Sequence, residues 1–217
     1  MAISLDSVSV GYGDTIVLRG VSLEFREGSF TFLEGASGAG KSTFLRLLRM
    51  DLLPAEGRLR LFGEDVMAAG RDDRAALRRS LGLVFQDFRL VPWLSALENV
   101  ALPLRLGDEA GGVADDYASE LLEWVGLGEK CGEYPERLSG GERQCVAIAR
   151  AVITRPRFLL ADEPTGSVDG ETARKLMHLF YSLCDGGTGV LVATHDAALA
   201  GDGCDRLLIE DGQVKRQ

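Results

Sequence analysis

Lysine and histidine are scarce in this 217-residue chain: four lysines (Lys41, Lys130, Lys175, Lys215) and two histidines (His178, His195). Acidic residues outnumber basic ones, 33 to 24, for a net charge of −9. That balance excludes a general nucleic-acid binder, which needs clustered cations to meet phosphates. No apolar run approaches the ~18 residues of a membrane-crossing helix, so any membrane role is expected to go through a partner. The four cysteines, Cys131, Cys145, Cys184 and Cys204, match neither a zinc pattern nor a CxxC redox pair. Residues 1–10 carry no basic segment or long apolar stretch, so reduced thiols in the cytosol are expected. Repeats and low-complexity segments are also missing. What remains is ordinary globular composition, 46% hydrophobic, at a length that suits one domain with a sub-lobe.

The first thirty residues alternate apolar and polar side chains around Gly11-Tyr12-Gly13-Asp14, and read as a run of short strands. Phe30 to Leu33 forms a strand that enters a Gly-rich loop, and a helix follows over 41–50. Leu81 to Phe85 is a short strand ending at Gln86. Ser95-x-x-Glu98 is a capping box, so a helix starts there and is expected to stop before Pro103. Residues 107–114 read as a loop, and 116–125 as a helix with Tyr117, Leu121, Leu122 and Val125 on one face. A second capping box, Ser139-Gly140-Gly141-Glu142, opens a helix with Cys145, Ile148, Ala149 and Val152 in a stripe. Strand–helix alternation then returns: a strand over 158–161, a helix over 172–183, a strand over 190–193 and a closing hairpin around Asp211-Gly212. This order predicts a mostly parallel sheet covered on both faces, with a helical lobe inserted between strands.

Three segments carry chemistry. Gly35-Ala36-Ser37-Gly38-Ala39-Gly40-Lys41-Ser42 fits G-x-x-x-x-G-K-[ST], a loop whose backbone N–H groups converge on phosphate oxygens. Lys41 supplies a mobile charge to the β- and γ-phosphates, and the Ser42 hydroxyl can hold Mg²⁺. Phe158 to Ala161 ends in Asp162-Glu163, and two carboxylates closing a buried strand call for a cation. Asp162 is the Mg²⁺ residue and Glu163 the general base for the attacking water. Ligands of parallel sheets sit outside the carboxyl ends of the strands. That rule puts the loop, Gln86, Asp162-Glu163 and His195 on one rim, where His195 can contact the γ-phosphate. His178, mid-helix among polar residues, reads as a surface side chain. Ser139 to Glu142 forms a second anion site at a helix start, far along the chain from the first. A two-fold dimer, each lobe capping the other copy's nucleotide, is the economical arrangement.

GASGAGKST, Gln86, LSGGERQ, LLADEPT and THD, in this order, resemble the ATP-binding subunits of the ABC ATPases across essentially the whole chain. The resemblance implies a P-loop NTPase (RecA-like) α/β core, an N-terminal antiparallel β subdomain and an inserted α-helical subdomain. Residues 1–88 and 155–217 would be the nucleotide-binding core and 89–154 the helical subdomain. It implies ATP and Mg²⁺ as ligands. Tyr12 looks like the residue that stacks on adenine, and Gly35 to Thr43 (Thr43 included) would bind the triphosphate. Ser42, Gln86 and Asp162 would serve Mg²⁺, and Gln86 would also sense the membrane partner. Ser139, Gly140, Gly141 and Glu142 would complete the other copy's site. Glu163, His195 and Gln86 would be catalytic, and Asp169 would close the D-loop. That loop usually reads S-A-L-D or G-N-L-D; here it is Gly166-Ser167-Val168-Asp169. Val84 to Leu90 and the segment from Pro92 to Pro103 are similar to the cell-division branch of the family, FtsE. This resemblance implies a homodimer beneath an FtsX-type membrane partner at the inner face of a bacterial septum, controlling peptidoglycan hydrolysis. Lipoprotein-releasing and macrolide-export subunits share much of the pattern.

Overall fold

A computed structural model describes residues 1–107, 111–195 and 204–217. Among them lie two sheets. The first, in the order β2-β1-β4-β5, is antiparallel and uses β1 (Ile3–Tyr12), β2 (Thr15–Phe25), β4 (Glu56–Leu61) and β5 (Glu64–Asp65). The expected run of short strands at the N-terminus is instead two long ones. Their register shifts past Leu5 and Val8, and these irregularities bend the strands without ending them.

The second sheet has the order β10-β9-β3-β8-β7-β6. Strands β3 (Phe30–Glu34), β6 (Leu81–Val84), β7 (Phe158–Asp162), β8 (Gly189–Ala193) and β9 (Asp205–Glu210) are parallel, and β10 (Gln213–Arg216) closes the hairpin. Strand side chains point alternately to opposite faces, and here the alternation feeds two separate cores. Phe32, Leu159, Val190 and Val192 face one core, with Val100, Leu122, Ile148 and Phe180. Leu33, Phe158, Leu160 and Leu191 face the other, with Phe44, Leu47, Leu18 and Leu59. Phe158 is fully buried, with its ring edge-on to Phe25 at 5.9 Å.

Helix α1 (Lys41–Leu48) lies in the second core, and α2 (Arg71–Arg79) buries no side chain. No element is read from the sequence over residues 51–80; α2 is mostly charged, with Leu77 half-buried against the second core. Helices α3 (Ala96–Arg105), α4 (Gly111–Trp124) and α5 (Gly140–Val152) follow β6 and pack on the first core. Helix α6 (Gly170–Asp185) returns to the sheet there.

Two helix boundaries differ from expectation. Helix α3 runs through Pro103 to Arg105. A proline there removes only the N–H that would reach the Asn99 carbonyl. Leu104 on the core and the Arg105–Asp115 ion pair at 2.6 Å hold the last turn. The loop expected over 107–114 is helical from Gly111, and 108–110 lie outside the described residues. Two leading glycines disguise the start of α4. Its buried stripe is Ala114, Ala118 and Leu122, while Tyr117 and Trp124 are exposed. Small alanines let α4 approach its neighbours; of the expected face, Leu121, Leu122 and Val125 pack on the first core and Tyr117 does not.

Candidate active site

The parallel register lines up four strand ends. Leu33 and Asp162 both pair with Ala193, and Ala161 pairs with Val84. The next residues along each strand therefore share one rim. The Gly-rich loop leaves β3, Phe85-Gln86 leaves β6, Glu163 leaves β7 and Thr194-His195 leaves β8. A cleft of about 580 Å³ opens on this rim. Its walls include Ala36, Ser37, Gly38, Gly40, Lys41, Ser42, Thr43, Gln86, Asp162, Glu163 and His195, as the sequence led us to expect.

Helix α1 begins on Gly40, whose φ of 114° only glycine adopts easily. A Cβ there would also press on Leu18 at 3.0 Å. No side chain caps the helix and no acid sits in its first turn, so its N–H groups face the cleft unopposed. The Lys41 ammonium curls back over the loop and donates to the carbonyls of Gly35 (2.6 Å) and Ala36 (3.3 Å). Gly35 and Ala39 complete the loop without lining the cleft, and a Cβ on Gly35 would press on Ala39 at 3.3 Å. Tyr12 stands beside the cleft. Its hydroxyl lies 3.4 Å from the Thr43 hydroxyl and accepts from Arg46 at 3.1 Å. The Arg46 guanidinium covers its ring at 5.3 Å.

Across the cleft, burial and then the charge of neighbouring Glu163 push the Asp162 carboxyl above its ordinary pKa. The charges of Arg49 and Lys41 and the Ser42 hydroxyl pull the other way. Adjacent carboxylates with a hydroxyl opposite form an oxygen donor set that suits a hard divalent cation such as Mg²⁺. Glu163 itself sits in the left-handed region at φ 47°, a strained backbone of the kind found at reactive centres. Its Oε2 lies 2.9 Å from His195 Nδ1. The histidine therefore orients the carboxylate directly, a contact the sequence reading did not foresee. Asp196, the last residue of the THD motif, lies outside the described residues.

The remaining expected site residues lie elsewhere. Ser139 N-caps α5, accepting from Glu142 N, while Glu142 Oε2 accepts from Ser139 N at 2.8 Å. Residues 139–142 do not line the cleft of their own chain. Asp169 N-caps α6 through Glu171 N and Thr172 N. The loop between Glu163 and Asp169 touches both regions. Gly166 and Ser167 line the cleft, while a Cβ on Gly141 would meet the Ser167 carbonyl at 3.2 Å.

Arg49, Val17 and Ser167 were missed as neighbours of the site. The signal for Arg49 was its place at the end of α1, just over two helical turns from Lys41. Beyond Gln86, Phe88 and Arg89 are both left-handed (φ 58° and 49°). Arg150 of α5 clamps this kink, donating to the carbonyls of both at 2.8 and 2.7 Å. The apolar cluster Phe88, Leu90, Val91 and Trp93 divides in the structure. Leu90 packs on the core and Val91 is bonded through its N–H and carbonyl to buried Asn99. Arg143 covers the Phe88 ring, and only Trp93 stands free at 75% exposure.

Residues 18–166 match the family model described as ABC transporter. The chain belongs to the ABC transporter family. It is 43% identical over 196 residues to the lipoprotein-releasing ATP-binding protein LolD of Bdellovibrio bacteriovorus, covering 89% of each chain. It is 39% identical over 203 residues to the cell-division ATP-binding protein FtsE of Streptococcus pneumoniae, covering 93% of this chain and 88% of that one. The dimeric post-hydrolysis structure of the ATP-binding cassette MJ0796, bound to ADP and Pi, superposes with a TM-score of 0.92. The identity there is 36%, over 99% of this chain and 97% of that one. This ABC-family member is thus an ATPase, using ATP with Mg²⁺, and a subunit of a membrane complex of the transporter type. No helix among the described residues is long and apolar enough to cross a membrane.

Proposed function

We propose that two copies of this chain close head to tail around two ATP molecules and transmit that closure to an FtsX-type membrane partner at the division septum. One observation carries the dimer: the cleft holds the loop, the acids and His195, while the turn at Ser139 is not among its walls. Each site is incomplete until a second copy supplies residues 139–142. The 1–88 and 155–217 segments act as the nucleotide-binding core and 89–154 as the lobe that reaches across.

Within one site, the Gly35–Thr43 backbone and Lys41 Nζ bind the triphosphate, the ammonium leaving its two loop carbonyls. Tyr12 stacks on the adenine. Ser42, Asp162 and Gln86 hold Mg²⁺, which supplies charge neutralisation at the phosphates when bound. Glu163 takes a proton from the water that attacks the γ-phosphorus. His195 Nδ1 holds Glu163 Oε2 in place for this transfer, and Asp169 anchors the loop between the two half-sites.

The segment behind Gln86 carries closure outward. A groove of about 770 Å³ lies between β6 and α3, lined by Leu83, Phe85, Leu102, Pro103 and Leu106, with Arg79, Arg89 and Arg150 among its walls. It suits an apolar helix end bearing acidic residues. The division reading is supported by the resemblance of residues 84–103 to the cell-division branch. It places the protein at the inner face of the bacterial inner membrane, controlling peptidoglycan hydrolysis through its partner. Lipoprotein release is the second reading, favoured by the 43% identity to LolD.

The test is affinity capture of Glu163→Gln from solubilised membranes with ATP and Mg²⁺. The variant is expected to bind ATP, lose about 10²–10⁴-fold in turnover and elute as a dimer with a four-helix FtsX-type protein. Recovery of a lipoprotein-release or efflux permease would replace the division reading, and normal turnover would remove Glu163 as the base.

A further inference from the structure

The turn at Ser139 contains a conflict of charge. Its glycines and helix N-terminus suit an anion, yet its fourth residue, Glu142, is itself anionic. The Ser139 N–H, which donates to the carboxylate, favours the ionised form, and the Lys130 ammonium favours it more. These contacts hold its pKa below the ordinary glutamate value, the Lys130 bond being the largest cause. Glu142 is therefore charged at neutral pH. Bringing a second copy's triphosphate onto this turn sets like charges against each other, a juxtaposition that opposes association.

Lys130 meets Glu142 from the short 3-10 turn Gly128–Lys130, its Nζ 2.5 Å from Oε1, while Oε2 stays on Ser139 N. Both carboxylate oxygens are thus occupied, and the charge is paired away from the helix end. The pair is partly exposed, the side chains retaining 43% and 25% of their surface. Exposed pairs contribute little to fold stability, so a stabilising role does not account for the arrangement.

We infer that Lys130 is a positioning residue for nucleotide-driven dimerisation: it neutralises Glu142 so that the turn accepts the other copy's triphosphate. The inference rests on the head-to-tail reading above. Its signature is charge compensation. Removing the lysine should harm association, and removing the glutamate charge as well should repair it.

The experiment measures ATP-Mg²⁺-driven dimerisation of the full chain by sedimentation, in the Glu163→Gln background. Lys130→Met is expected to raise the ATP concentration for half-dimerisation about tenfold. Binding of a fluorescent ATP analogue to the monomer should be unchanged, because Lys130 is absent from its own cleft. Melting should shift by only about a degree or two. Adding Glu142→Gln to Lys130→Met is expected to restore dimerisation, and Lys130→Arg to preserve it. Dimerisation indifferent to Lys130→Met, or a loss that Glu142→Gln does not repair, overturns the inference. Ser139→Arg tests the underlying reading separately: normal dimerisation by that variant means the turn does not receive the nucleotide at all, and Lys130 has nothing to position.

Discussion

Two helix N-termini that the proposed dimer assigns to phosphate are finished in opposite ways. Helix α1 opens on a left-handed glycine with no side-chain cap and no acid in its first turn. Helix α5 opens on a serine in a complete capping box, with Glu142 in its first turn and Lys130 bound to that acid. In α1 the first N–H groups await a ligand, and the mobile Lys41 is parked on loop carbonyls. In α5 two of these donors are already satisfied by the capping box. In the proposed dimer, the end meant for the chain's own nucleotide is left open, and the end meant for the other copy's is built in advance. Preorganisation lowers the ordering cost of association, which suits a surface that must dock and release repeatedly.

The contrast can be broken most severely at α1. Lys41→Ala removes the mobile cation, and ATP affinity should fall about 100-fold or more, since hydrogen bonds to charged groups carry ~1.5–3 kcal/mol each. Isothermal titration reads this, and affinity within threefold of the parent would end the comparison. At α5 the expected damage is to structure first. Ser139→Ala should lower unfolding free energy by about 1 kcal/mol, measured by urea denaturation, while monomer ATP affinity stays unchanged. A matching drop in monomer affinity would mean the two ends are not independent.

The mildest probe is acid. Glu98 and Glu142 both close capping boxes, and both have pKa values held below the ordinary 4.5. For Glu98 the Ser95 backbone bond is the main cause; for Glu142 it is Lys130. A carboxyl depressed on folding adds stability above its unfolded pKa and loses it as pH falls through the folded value. Melting temperature should therefore decline below about pH 4.5, and the Glu98→Gln/Glu142→Gln pair should flatten that slope. Helix α1 has no such acid and contributes nothing to it.

The site was more legible than the frame that carries it. The Gly-rich loop, Asp162-Glu163 and Ser139 to Glu142 need particular residue types at fixed spacing, so their chemistry shows in one dimension. The parallel core was readable because strands buried on both faces are apolar throughout. Helix α2 escaped because it is mostly charged and buries no side chain fully, and the start of α4 because glycines 111 and 112 hide it. The bond between His195 and Glu163 and the Lys130–Glu142 pair join residues 32 and 12 positions apart. No local pattern encodes them; they appear only once the strands and turns are in place.

The kink at Phe88-Arg89 has a mechanical consequence. Two consecutive non-glycine residues in the left-handed region hold about 2–4 kcal/mol of backbone strain. Arg150 restrains them with two bonds from a charged donor, each contributing roughly 1.5–3 kcal/mol. The two bonds are thus of the same order as the strain they restrain. An input of about 1.4 kcal/mol, small beside the binding energy of a nucleotide, changes the ratio of caught to released forms tenfold. Loss of the two Arg150 bonds would therefore free the strained turn that joins the cleft to the groove.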